Sequence, residues 1–160
     1  MLRQVGLSKI HSFLWTDLLV LVDKKGAIRT LLKALLPSEV EEDSVIDLPP
    51  ASRLYKTLLQ GGHYNRSTKS VERVPSSVWD GTEFGVWFVD LVGRDGTVGM
   101  CVGNGNGAFV VVELVEALNR REGEVAGKTV KGWFGNEVVL EIEKGEAKGK
   151  QVLLDKLRLL

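Results

Sequence analysis

Apolar positions recur at helical spacing through most of the chain. Residues 14–22 form an apolar run, Asp23-Lys24-Lys25-Gly26 breaks it, and residues 27–36 resume it. In that second run Ile28, Leu31, Leu32 and Leu35 fall on one helix face, and Pro37 stops it. The pair predicts a helical hairpin. Pro49-Pro50 opens a third helix over 51–60, which Gly61-Gly62 closes. Phe84, Trp87, Phe88 and Leu91 make an aromatic core stripe on a helix over 83–92. Further helices are predicted over 108–118, 125–134, 137–143 and 150–160. The run 138–142 is equally compatible with a strand by its β-branched content. Residues 38–47, 63–70 and 75–81 are connectors.

Composition sharpens this picture. With 160 residues and 44% apolar content, the chain suits one domain or a few solenoid units with a real core. No membrane segment is expected, because the 14–22 run is interrupted by Asp17 and ends at Asp23-Lys24-Lys25. The single cysteine, Cys101, excludes an internal disulfide framework. Net charge is zero, but the charges are segregated. Residues 38–47 are acidic and carry no cation. From 53 to 73 the sign inverts, with Arg53, Lys56, Arg66, Lys69 and Arg73 against Glu72. The stretch 63–70 interleaves cations, hydroxyls and an amide with Tyr64, a mixture suited to phosphates and stacked bases.

Catalysis finds little support. The only histidines are His11 and His63, and no His/Cys cluster has metal spacing, so neither a catalytic residue nor a metal or other cofactor is expected. The glycine turn at 103–107 has two readings. It fits a dinucleotide-binding turn at a helix N-terminus, which would make the chain a nucleotide-binding enzyme, or a polar turn feeding one unit of a helical repeat. The segment before it has room only for a short, glycine-broken strand, and a charged turn at 120–124 follows the helix where a second strand would be required. The surroundings favour the repeat.

Four segments share one form, a polar turn with small residues followed by a short apolar helix ending in leucines. They begin at Asp23, Leu48, Asn106 and Lys148, at irregular spacing. Asp23-Lys24-Lys25-Gly26-Ala27 and Gly149-Lys150-Gln151-Val152-Leu153-Leu154 resemble the start of the second helix of a pumilio (PUF) repeat. Residues 50–62, 107–118 and 148–157 resemble the C-terminal CPL region of Penguin-type pumilio proteins, and the resemblance covers roughly residues 45 to 160. It implies an all-α fold, an irregular α-solenoid of PUF-like repeats forming a single domain over 1–160, expected to be the C-terminal part of a longer protein or a truncated gene product. It also implies a nucleolar or nuclear, non-catalytic RNA-binding role in large ribosomal subunit assembly and mRNA repression. The expected partners are rRNA or mRNA, bound with little sequence preference, and preribosomal proteins, with no membrane and no small-molecule substrate.

In PUF repeats two or three side chains of the second helix contact one base each. The matching positions are Ala27, Ile28 and Leu31; Ser52, Arg53 and Lys56; Ala108, Phe109 and Val112; and Lys150, Gln151 and Leu154. Only the Ser52, Arg53, Lys56 set is polar throughout, and apolar readers cannot discriminate base edges. The expected RNA-binding residues are therefore Ser52, Arg53, Lys56, Tyr64, Arg66, Lys69 and Arg73. The alternative is a protein-interaction module that docks a basic partner through its acidic 39–47 loop without touching RNA.

Overall fold

The computed structural model describes residues 23–36 and 45–159. The chain is mostly helical, with seven α-helices and one two-stranded sheet among the described residues. Asp23 caps α1 (Lys24–Lys33) by accepting the Gly26 amide at 3.1 Å. Tandem prolines occupy the first turn of α2 (Pro49–Gln60), where their missing amides leave no bond unmade. Gly61 ends α2 at φ 75°, a left-handed conformation that favours glycine. Asp80 caps α3 (Gly81–Val102), two helical stretches joined at Gly93. Then come α4 (Gly107–Leu118), α5 (Glu124–Trp133), α6 (Asn136–Lys144) and α7 (Lys150–Arg158).

Helix α4 is the hub. It buries nine of its twelve residues and packs against α2, α3, α5 and α7. Three of the look-alike segments thus meet, with α2 and α7 each packed on α4. Helix α1 packs on α3, and the buried Tyr55 hydroxyl ties it to α2 by donating to the Leu31 carbonyl at 2.6 Å. The aromatic stripe of α3 divides as an amphipathic face does. Phe84 and Phe88 are fully buried, while Trp87 and Leu91 lie partly buried at its edge. Trp79, from the 75–81 connector, also belongs to the core. Its indole donates to the Leu58 carbonyl at 2.9 Å and its ring lies 5.5 Å from that of Phe84.

Several expectations are corrected. Residues 63–70 are not a plain loop, because β1 (Gly62–Asn65) and β2 (Ser70–Arg73) pair antiparallel with His63 opposite Glu72 and Tyr64 opposite Val71. Asn65 shapes the turn by accepting the Ser67 amide at 2.8 Å. The run 138–142 is helix, since Val138 and Ile142, four apart, are the residues α6 buries. The segment before the glycine turn is the second half of α3 rather than a strand. The first half of the predicted helical hairpin, Pro37 and residues 38–44 of the acidic connector fall outside the described residues.

Candidate functional site

The structure divides the predicted basic residues between a helix face and the hairpin. On α2, Arg53 is exposed. Lys56, three residues on and on the same side, is half-buried with its ammonium 5.4 Å from the centre of the Phe109 ring. Ser52 does not belong with them. It is only 6% exposed and its hydroxyl donates to the Pro49 carbonyl at 3.1 Å, so it stabilises the first turn of α2. The other matching positions are mostly core. Ile28, Leu31, Ala108, Val112 and Leu154 are buried. Lys150 closes the end of α6, its ammonium donating to the carbonyls of Glu143 at 3.0 Å and Gly145 at 2.6 Å.

In the hairpin, opposed residues share a face and alternate residues reverse it. Tyr64, Val71 and Arg73 therefore lie on one face, and His63, Asn65, Ser70 and Glu72 on the other. Glu72 occupies the second face fully, accepting from Asn65 at 2.5 Å with His63 3.7 Å away. Arg66 and Lys69 stand exposed in the turn, Lys69 in the left-handed region at φ 54°. Tyr64 is exposed as well.

Arg73 leads to a cleft of about 330 Å³ lined by Leu59, Gln60, Val71, Glu113, Glu116, Ala117 and Arg120 besides itself. Phe109, Glu113 and Glu116 recur at i, i+4 and i+7, making the one stripe of α4 that its neighbours leave uncovered. Gln60 donates to Glu113 Oε1 at 2.7 Å, and Lys156 of α7 pairs with Glu116 Oε1 at 2.6 Å. Burial pushes the Glu113 carboxyl above its ordinary range. The Gln60 hydrogen bond opposes that push, the charge of Glu116 adds to it, and Lys56 and Lys156 oppose it. Among the described residues Arg73 and Arg120 have no acid within ion-pair distance.

Gln60, Glu113, Glu116 and Arg120 are cleft residues that sequence reasoning missed. The available signal was the pair Glu113 and Glu116, the only charges on an otherwise apolar helix. The glycine turn resolves structurally. Its amide Asn106 donates to the Asp47 carbonyl at 2.9 Å and its Gly105 carbonyl accepts the Lys148 amide at 3.0 Å. The Asp47 carboxylate lies directly against Gly105. The turn thus joins three segments of the chain. Cys101 is a buried small residue whose thiol burial pushes up to about 12, far from a reactive thiolate. No helix among the described residues is long and apolar enough to cross a membrane.

Comparison with protein-family models, with curated proteins and with solved structures finds no match.

Proposed function

We propose that this protein is a non-catalytic RNA-binding protein of PUF-like helical-repeat type, holding the phosphate backbone with little preference for base. The observation that carries the reading is the hairpin. It presents Tyr64, Arg66 and Lys69 to solvent on a ribbon standing against α2, whose own surface adds Arg53 and Lys56. Cations of this kind neutralise phosphates, and an exposed phenol offers a face on which any base stacks. The packing of α2 and α7 on α4 supports the repeat reading, as three segments of like sequence are in contact. Burial of half of the base-reading positions, Ile28, Leu31, Ser52, Ala108, Val112 and Leu154, supports low sequence preference. The sequence resemblance to Penguin-type pumilio proteins is the ground for proposing that this activity serves nuclear assembly of the large ribosomal subunit and mRNA repression.

Filter binding to mixed-sequence RNA at several salt concentrations tests it. Each phosphate contact contributes a log–log slope of about −0.7 for a single strand. Three to five contacts give on the order of a 10- to 100-fold loss between 50 and 200 mM salt. Arg66→Glu/Lys69→Glu and Arg53→Glu/Lys56→Glu should each weaken binding to every RNA alike and flatten the slope by about two contacts. Unchanged affinity in both well-folded double variants would refute the reading.

A second reading rests on exposed aliphatic side chains along the later helices. Val125 is 81% and Leu159 82% exposed, with Leu140 and Val152 also at the surface. A module that docks on a preribosomal protein would use such residues. It predicts that Val125→Asp/Leu159→Asp abolishes co-purification of that protein while RNA affinity stays unchanged.

A further inference from the structure

The cleft between β2, α2 and α4 combines two kinds of group that one surface seldom brings together without pairing them. Arg73 and Arg120 line it with no acid in ion-pair reach among the described residues. Glu113 and Glu116 line it too, with Oε1 of the first accepting from Gln60 within the cleft and Oε1 of the second paired with Lys156 outside its lining. Among the described residues Oε2 of both carboxylates accepts no hydrogen bond. The lining of the cleft therefore combines two arginines and two glutamates around about 330 Å³, at the small end of ligand-pocket sizes.

We propose that this cleft is a binding site for a sugar phosphate, with Arg73 and Arg120 holding the phosphate and Glu113 and Glu116 accepting the sugar hydroxyls. A bare anion would meet repulsion from the two carboxylates, and a bare cation would meet the two guanidiniums. A neutral sugar would leave the arginines unused. A phosphorylated polyol uses all four, because guanidinium matches phosphate in a bidentate way and an ionised carboxylate accepts hydroxyl protons at close range. Gln60 and Lys156 fix the two carboxylates in place before the ligand arrives, which lowers the entropy lost on binding. The site is separate from Arg53, Lys56, Arg66 and Lys69, so it stands whether or not those residues bind RNA.

Such a ligand has two sources, a free sugar phosphate or the phosphorylated end of an RNA strand. Calorimetric or NMR titration of the whole protein with ribose 5-phosphate, inorganic phosphate and ribose tests the shared chemistry. Ribose 5-phosphate should bind saturably and at least about 10-fold more tightly than either of the others. Arg73→Gln and Arg120→Gln should each weaken it by about 10-fold or more, while Arg94→Gln, on α3 and paired with Asp95, leaves it unchanged. Glu113→Ala should reduce ribose 5-phosphate towards the affinity of inorganic phosphate. A short RNA with a 5′-phosphate that outcompetes its 5′-hydroxyl twin identifies the strand end as the source, and equal competition identifies the free sugar phosphate. Absence of saturable ribose 5-phosphate binding, inorganic phosphate binding equally well, or indifference to both arginine variants when circular dichroism is unchanged would each overturn the proposal.

Discussion

Helix α2 and the β1–β2 hairpin are consecutive in the chain and meet at Gly61, yet different forces hold them. Seven of the twelve residues of α2 are buried, among them Leu54, Tyr55, Leu58 and Leu59. The two strands bury only Gly62, against whose Cα the Glu72 carbonyl is closely packed. A two-stranded ribbon alone is marginal in water. Here it is supported by its ladder, by the Asn65–Glu72 hydrogen bond and by contact with α2. The packed helices carry the stability of the molecule, and the ribbon carries charge to solvent at little structural cost. Substitutions in the first should be read as unfolding and in the second as lost affinity.

The sharpest test of that division is Phe84→Ala in the core between α3 and its neighbours. Phe84 is fully buried, so its removal should cost about 3–5 kcal/mol in urea unfolding. A loss below about 1 kcal/mol would mean that the core is not where the stability lies. Next is Tyr55→Phe, which leaves the buried Leu31 carbonyl without its donor and should cost about 1–3 kcal/mol. Hydrogen exchange should then show α1 loosening before α2.

Glu113→Gln should change stability less, and with the opposite sign at neutral pH. Burial raises the folded carboxyl above its unfolded value, so the folded protein holds this proton more tightly than the unfolded chain does. That contribution is fully present below the unfolded pKa and is lost as pH rises through the folded one. The variant should accordingly be more stable than the parent at pH 7, with the difference vanishing below the ordinary carboxylate range. A difference that grows on acidification would contradict the burial. Smallest of all is the stability effect of Arg66→Glu/Lys69→Glu, within about 0.5 kcal/mol, in the same protein whose RNA affinity falls. Were the unfolding midpoint to drop substantially, the ribbon would be part of the stabilising core and the comparison would fail.

Local chemistry made much of the architecture legible. Pro49-Pro50 and Gly61 bound α2, where a fixed φ and a left-handed cap act within one turn. The 3.6-residue spacing placed Ile28, Leu31 and Leu32 inside, and Phe84 with Phe88. At 138–142 the sequence left helix and strand open, since β-branched content competes with period, and the burial of Val138 and Ile142 four residues apart decides for helix. The hairpin was hidden because its strands carry too few apolar residues for alternation to show, and only pairing across the turn makes them strands.

The sequence by itself determined most of the helical segments and where the cations cluster, because propensity, capping and charge act over a few residues. Tertiary structure decided which of those residues share a surface. It turned Ser52 inward, used Lys150 to close α6 and set the Asp47 carboxylate against Gly105. It also brought Arg73, Arg120, Glu113 and Glu116 to one cleft from segments up to 47 positions apart, residues 73 and 120 being the extremes. Neighbours of that kind are set by how α4 packs among α2, α3 and α7, a competition for buried area that no local spacing encodes.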